Sequence, residues 1–343
     1  MFFRSFMNLE LEIKNQVLLC ARNGKLNPTA VGWSRHPLHR CNLTGRFLRK
    51  KRWNYWCIYD RDFLVSFTIS DVDYSGVCFV YYLDFRTMQF EEMTVLAPFG
   101  MGVKLGQLTD NDASFQNSKM KLEFVTEETG RRIRASIPNM NGKKVEADIF
   151  IPASQQESLN VVIPWSKSKF QYTSKQFCLA AQGQVTIDSK LHEFKKDDAF
   201  AVLDFGRGVW PYNTIWNWAS VSSRSKGNVF GLNMGAGWTD GTGYTENAIS
   251  VNGKVYKLSE DILFKYDRND YMKPWEIKSS TSQAVDLVFT PLYERKAVSN
   301  LLIVTSDVHQ MIGKYSGKIK IGRHSEYELD GDIGWAEDHK ARW

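Results

Sequence analysis

The sequence predicts an all-β protein of two antiparallel β-barrels, or strongly curved sheets, packed together. Three observations predict it. Apolar residues recur with a period of two in both halves of the chain, the spacing that turns one face of a strand to a core and the other to water. Asn-Gly pairs sit between such runs, and both residues tolerate the positive φ of a tight hairpin. No amphipathic helix of three turns stands out and no strand–helix–strand alternation appears, which excludes doubly wound α/β folds.

In order along the chain, Met120, Leu122 and Phe124 alternate with Lys119, Lys121 and Glu123. Ile133, Ala135 and Ile137 alternate with Arg132, Arg134 and Ser136, and Val145, Ala147 and Ile149 with Lys144, Glu146 and Asp148. Asn141-Gly142 joins the last two strands. Residues 199–203, Ala-Phe-Ala-Val-Leu, are all apolar, the mark of a strand buried on both faces. Asn252-Gly253 joins 248–251 to 254–258, and further strands are expected at 284–290, 300–305, 314–321 and 326–329. A chain of 343 residues exceeds the usual size of a single core, so two domains are expected. Closing each into a barrel hides its sheet edges. The polar stretches 166–169 and 173–175 put the division between 1–175 and 176–343.

Composition bounds the function. Hydrophobic content of 43% and charged content of 24% belong to an ordinary globular chain. The 44 Lys+Arg against 38 Asp+Glu leave a net +6, too dilute to steer a polyanion, so nucleic acid is not an expected partner. Cys20, Cys41, Cys57, Cys78 and Cys178 are scattered without zinc-ligand spacing. They read as buried reduced thiols of a cytoplasmic protein. No metal site and no cofactor are implied. There is no apolar run long enough for a transmembrane segment, and the first sixteen residues lack the apolar core of a signal peptide.

Two Trp-rich segments carry the candidate site. Asp204 ends the apolar run, and Gly206 and Gly208 would let the chain turn closely there. Burial raises the pKa of a carboxyl unless a cation pairs with it, and Arg207 is the expected partner. The pair is a proton donor or a clamp on a polar ligand group, or else an ion pair that only locks the turn. Trp210, Trp216, Trp218 and Trp238 would line a cavity, with Tyr212 close by and Glu246 in the following Gly-rich stretch. The second segment is WAEDHKARW, residues 335–343. In a strand, Glu337 and His339 share one face and Asp338 takes the other. A third cluster, Arg35 to Arg52 framed by Trp33, Trp53 and Trp56, is either a phosphate or nucleic-acid surface or a solvated hairpin whose arginines stack on indoles.

Several motifs together resemble one family. These are residues 27–35 (NPTAVGWSR), Pro37-Leu38-His39-Arg40, Arg52-Trp53-Asn54-Tyr55-Trp56, Gly206-Arg207-Gly208-Val209-Trp210-Pro211-Tyr212, Gly241-Thr242-Gly243-Tyr244-Thr245-Glu246-Asn247, His309-Gln310 and WAEDHKARW. They are similar to the DUF2804 family over essentially the whole chain, a family label that carries no established activity. That family is more distantly similar to AttH-like and carotenoid-hydratase-like proteins, which implies two lipocalin-like barrels and a cavity for an apolar ligand such as a lipid or isoprenoid. No carotenoid-hydratase active-site motif matches residue by residue, so the resemblance supplies no catalytic residues.

Three functions follow as expectations. One is a binding module for an apolar small molecule, lined by Trp210, Trp216, Trp218 and Trp238 with Arg207, Glu246 and Glu337 as its polar groups. Another is a cofactor-independent hydratase, lyase or isomerase with Asp204 as proton donor and Tyr212 or His339 assisting. The third is a phosphate or nucleic-acid binder using Arg35 to Arg52. Convergence of Asp204, Arg207, Glu246 and His339 on one enclosed cavity favours the enzyme. A purely apolar cavity favours the binder, and a cavity filled by side chains weakens both.

Overall fold

The computed structural model describes residues 10–301, 304–322 and 325–343. Three short strands open the chain: β1 (Val17–Leu18), β2 (Trp33–Ser34) and β3 (His39–Arg40). A meander follows of β4 (Lys50–Tyr59), β5 (Phe63–Asp71), β6 (Ser75–Asp84) and β7 (Gln89–Pro98). Next come β8 (Val103–Leu105), β9 (Ala113–Gln116), β10 (Lys121–Glu127), β11 (Gly130–Met140) and β12 (Lys143–Pro152). Then come β13 (Leu159–Ser166), β14 (Lys169–Ala180), β15 (Gln182–Ile187), β16 (Lys190–Phe194) and β17 (Phe200–Val209). The remaining strands are β18 (Asn213–Ser225), β19 (Asn228–Ala236), β20 (Ala248–Val251), β21 (Lys254–Lys257) and β22 (Ile262–Lys265). They continue with β23 (Trp275–Ser279), β24 (Val285–Leu301), β25 (Val304–Ile321) and β26 (Ser325–Arg342). Among the described residues no α-helix occurs, and no helix is long and apolar enough to cross a membrane.

The strands form three large sheets. A seven-stranded sheet has the order β16-β15-β12-β11-β10-β9-β8, an eight-stranded one β2-β13-β14-β17-β4-β5-β6-β7, and a nine-stranded one β21-β20-β19-β18-β26-β25-β24-β23-β22. The eight-stranded sheet is the middle layer, and each of its faces feeds a core. One face packs Trp56, Ile58, Phe67 and Phe205 against Leu122, Phe124, Ile133 and Ile149 of the seven-stranded sheet. The other packs Tyr55, Cys57, Tyr59 and Val202 against Trp218, Ile312, Ile333 and Trp335 of the nine-stranded sheet. Burial on both sides explains why β17 begins as an unbroken apolar run. The nine-stranded sheet curls over a third core of Val221, Leu232, Ile249, Trp275, Phe289 and Tyr315.

Both expected hairpins have the predicted backbone, with φ of 52° and 90° at Asn141 and Gly142 and 48° and 80° at Asn252 and Gly253. The five cysteines are buried and free. The expected division at 175 and 176 falls inside β14, which pairs with β13 on one side and β17 on the other. By sheet membership the chain changes layer between Val209 and Asn213. The strand expected at 284–290 does not stop there. β24 runs on to Leu301, absorbing Pro291, which lacks a ladder N–H, in a bulge where the register shifts before Tyr293. The strand expected at 300–305 is the tip of that hairpin, where Leu301 pairs with Val304. Residues 302–303, and residues 1–9 at the N-terminus, lie outside the described residues.

Candidate functional site

β17 does not turn at Gly206. It continues to Val209, with even-numbered residues facing the nine-stranded sheet and odd-numbered ones facing the N-terminal core. Asp204 and Arg207, three apart in one strand, therefore point to opposite faces, and the expected pair between them does not form. Arg207 is buried and bonded to neutral acceptors: the carbonyls of Gly106, Trp53 and Gly206 and Asn54 Oδ1. Desolvation brings its pKa down to about 9. It ties the 106–111 loop to β4 and β17 and takes no part in the Asp204 cluster. The glycines serve approach, not a turn. A Cβ at Gly206 would lie 2.2 Å from the Trp53 ring, and one at Gly208 would lie 2.2 Å from Gln171 Oε1.

Asp204 pairs instead with Lys175, its neighbour across the ladder to β14, whose Nζ lies 3.1 Å from Asp204 Oδ1. The same ammonium lies 3.2 Å from Glu246 Oε2, so one cation serves two carboxyls. Thr173 Oγ1 donates to Asp204 Oδ1 (3.2 Å), and Trp238 Nε1–H donates to Glu246 Oε1 (2.7 Å). The Lys175 ammonium also sits 4.4 Å from the centre of the Trp218 ring. Gly235 admits the carboxyl, since a Cβ there would lie 2.1 Å from Glu246 Oε1. The side chains of Lys175, Asp204 and Glu246 are only 6%, 13% and 2% exposed, so water screens them little. Burial raises the pKa of Glu246, and Lys175 opposes the rise without cancelling it. Burial pulls Lys175 down, but Asp204 and Glu246 outweigh it and the ammonium is held charged.

Beside this cluster the tryptophans gather round Trp210. Its ring centre lies 5.0 Å from Trp165, 5.1 Å from Trp238 in a stacked pair, 5.6 Å from Trp216 and from Trp343, and 5.9 Å from Trp53. Trp165 Nε1–H donates to the Trp238 carbonyl, and Trp210 Nε1–H to Gln171 Oε1. These rings pack on one another rather than around open space. Two open grooves of about 530 and 340 Å³ lie elsewhere, on the charged face of the seven-stranded sheet around Arg132, Asp148 and Gln184.

Trp216 links this group to the last strand. Its Nε1–H donates to Glu337 Oε1 (3.0 Å), and its ring centre is 3.8 Å from that of His339. His339 lies between Glu337 Oε1 (3.3 Å, at Nδ1) and Ser306 Oγ (2.9 Å, at Nε2). Asp338 takes the other face, accepting from Tyr271 OH and lying 3.3 Å from Arg268 Nε. Asp204, Glu246 and Trp218 thus meet at Lys175, Trp238 joins through Glu246, and Trp210 and then Trp216, Glu337 and His339 lie at increasing remove. Tyr212 is exposed at the rim. Lys175, Trp53 and Trp165 belong to the site although the sequence does not single them out for it. In the sequence Lys175 looks like part of a polar linker, and only its strand register reveals it.

Within the basic Arg35–Arg52 segment three cations have acidic partners. Arg35 pairs with Glu12 and Glu157, Lys50 with Asp73 and Arg52 with Asp71. Lys51 is buried against Tyr74, its pKa pulled to about 8 by desolvation.

A family model described as a domain of unknown function, DUF2804, matches residues 10–343. The chain belongs to the DUF2804 family. No curated protein sequence matches it. Among solved structures, kievitone hydratase from Nectria haematococca is similar with a TM-score of 0.53 and 11% identity, over 85% of this chain and 88% of that one. CghA with Sch210972 is similar with a TM-score of 0.50 and 8% identity, over 86% and 89%. A structure assigned as AttH, from Nitrosomonas europaea, gives 0.48 with 12% identity, over 84% and 92%. At such identities the likeness to kievitone hydratase and CghA shows a shared all-β architecture.

Proposed function

We propose that this DUF2804 protein takes up an apolar small molecule between its eight- and nine-stranded sheets and performs acid–base chemistry on it without a cofactor. The observation that carries the reading is one buried lysine facing two carboxyls. Were both carboxyls ionised, the cluster would keep an uncompensated negative charge in a place that excludes water, at a cost of several kcal/mol. One retained proton removes that charge, and Glu246, the more deeply buried and raised by its burial, is the group that keeps it. Glu246 thus replaces Asp204 as proton donor, and the Lys175–Asp204 pair fixes its surroundings.

A neutral carboxylic acid in an apolar site protonates an alkene or an enol. The acid O–H breaks, a C–H bond forms, and the cationic carbon faces indole rings that stabilise it. Water then bonds to that carbon and returns a proton to the Glu246 carboxylate, which is hydration. Loss of a neighbouring C–H proton to the same carboxylate is isomerisation. The hydratase named among the similar folds is compatible with this class of reaction. The ligand is expected to part Trp210 from Trp238, because their stack closes the way to Glu246.

A second reading is uptake without turnover, supported by the apolar indole surface that Trp165, Trp210 and Trp238 would present once parted. One experiment separates the two. The protein is titrated with unsaturated isoprenoid alcohols, following tryptophan fluorescence, and the bound alcohol is then recovered from deuterium oxide and weighed. Saturable quenching with deuterium at carbon, lost in Glu246→Gln while quenching remains, supports the enzyme. Quenching without label supports the binder. Unchanged fluorescence with every alcohol refutes both.

A further inference from the structure

We infer that the ligand carries an oxygen acceptor, a carbonyl or ether, and that Gln171 is the residue that reads it; this rests on the uptake of an apolar molecule at the tryptophan cluster proposed above. Gln171 is fully buried on β14, on the face that carries Thr173 and Lys175. The indole N–H is a donor only, so the 2.7 Å bond from Trp210 Nε1 fixes which end of the amide is the oxygen. The other end, Nε2, then carries two N–H donors in a dry place and has no partner. A buried donor left unpaired is costly, and native interiors seldom keep one without a reason.

The surroundings are built to hold this amide in place. Gln171 pairs across the ladder with Gly208, and Gly206 lies beside it. A Cβ at Gly206 would come within 2.6 Å of Gln171 Nε2. Over the same glycine lies Trp53, half-buried, whose one ring neighbour among the described residues is Trp210 at 5.9 Å. Trp53 is thus the loosest cover above the unpaired N–H groups. With Trp53 swung outward, a ligand oxygen accepts from Gln171 Nε2 while its apolar body lies along Trp210, toward Asp204 and Glu246. A pure hydrocarbon leaves the donor unsatisfied.

The test uses a matched pair of probes, acetylnaphthalene and isopropylnaphthalene, alike in size and differing in the carbonyl oxygen. Binding is measured by equilibrium dialysis on the full chain. Once each affinity is corrected for that probe's own transfer from water to hydrocarbon, the parent is expected to prefer the ketone about tenfold, since one hydrogen bond to an otherwise unpaired buried donor is worth roughly that factor. Gln171→Met keeps the length of the side chain and a weak thioether acceptor for Trp210 but has no donor, and should lose that preference. A readout on the parent alone guards against a misfolded variant: the carbonyl stretch of the bound ketone should fall in frequency relative to the ketone in hydrocarbon. No preference for the ketone by the parent after that correction, or an unshifted stretch, overturns the role of Gln171 and leaves uptake standing. If neither probe binds, the uptake itself is refuted and the inference falls with it.

Discussion

Replacing Lys175 with Met deletes the ammonium between Asp204 and Glu246 while keeping an unbranched stem against Trp218. Both carboxyls are then buried without a cation, and their low exposure means that little of the loss is recovered by hydration. Removing one partner of a buried pair costs roughly 3–5 kcal/mol. The deficit should depend on pH in one direction. Acid supplies the neutralising proton, so the loss is greatest near pH 8 and shrinks as pH falls toward the ordinary carboxyl range. Asp204→Asn in the Lys175→Met background should recover part of it, because the pair is then absent rather than broken. Urea unfolding followed by circular dichroism at pH 8 and pH 5 reads the parent and both variants. A Lys175→Met protein within about 0.5 kcal/mol of the parent at pH 8, less than surface substitutions often cause, would refute the buried triad.

Other outcomes follow from the same geometry. Because burial raises the folded pKa of Glu246 above its ordinary 4.5, the folded chain holds a proton there that the unfolded chain releases; stability should fall by about 1.4 kcal/mol per pH unit from 4.5 up to the folded pKa, and Glu246→Gln should flatten that slope in urea titrations across pH. His39 behaves oppositely: buried against the Ala30 carbonyl and pulled down to about 4 from 6.5 by desolvation, it should cost about 3 kcal/mol as pH falls through that window, and His39→Gln should remove this acid sensitivity in thermal melts. Gly206→Ala forces a methyl into the Trp53 ring and should cost roughly 1–3 kcal/mol in urea unfolding while shifting the indole emission as Trp53 moves outward. Emission and stability like the parent's would show that the Trp53 contact is not there.

Period two and the Asn-Gly turns made the sheets legible because each strand with one wet face states its own register. Burial on both faces of the middle layer was legible at one place, the apolar run of β17. What the sequence hid was which strands lie side by side. Asp204 is legible, but Arg207 reads as its partner because Gly206 and Gly208 look like a turn; in a strand that continues, residues three apart lie on opposite faces. The true partner, Lys175, comes from the neighbouring strand, inside a polar run that resembles a linker. Glu246 stood out as a carboxylate in a Gly-rich stretch, yet its depth depends on Gly235 and Trp238, which no local pattern reveals. The division between layers was obscured for the same reason, since β14 to β17 return to the N-terminal sheets after the polar stretch has suggested a boundary.

The claim that Glu246 holds a proton at neutral pH is open to direct observation by infrared difference spectroscopy between the parent and Glu246→Gln. The account predicts a carboxylic-acid carbonyl band in the parent that is absent from the variant and shifts when an unsaturated isoprenoid alcohol binds. A parent spectrum that loses only a carboxylate band on substitution would mean that Glu246 is ionised, and would contradict the proposed proton donor.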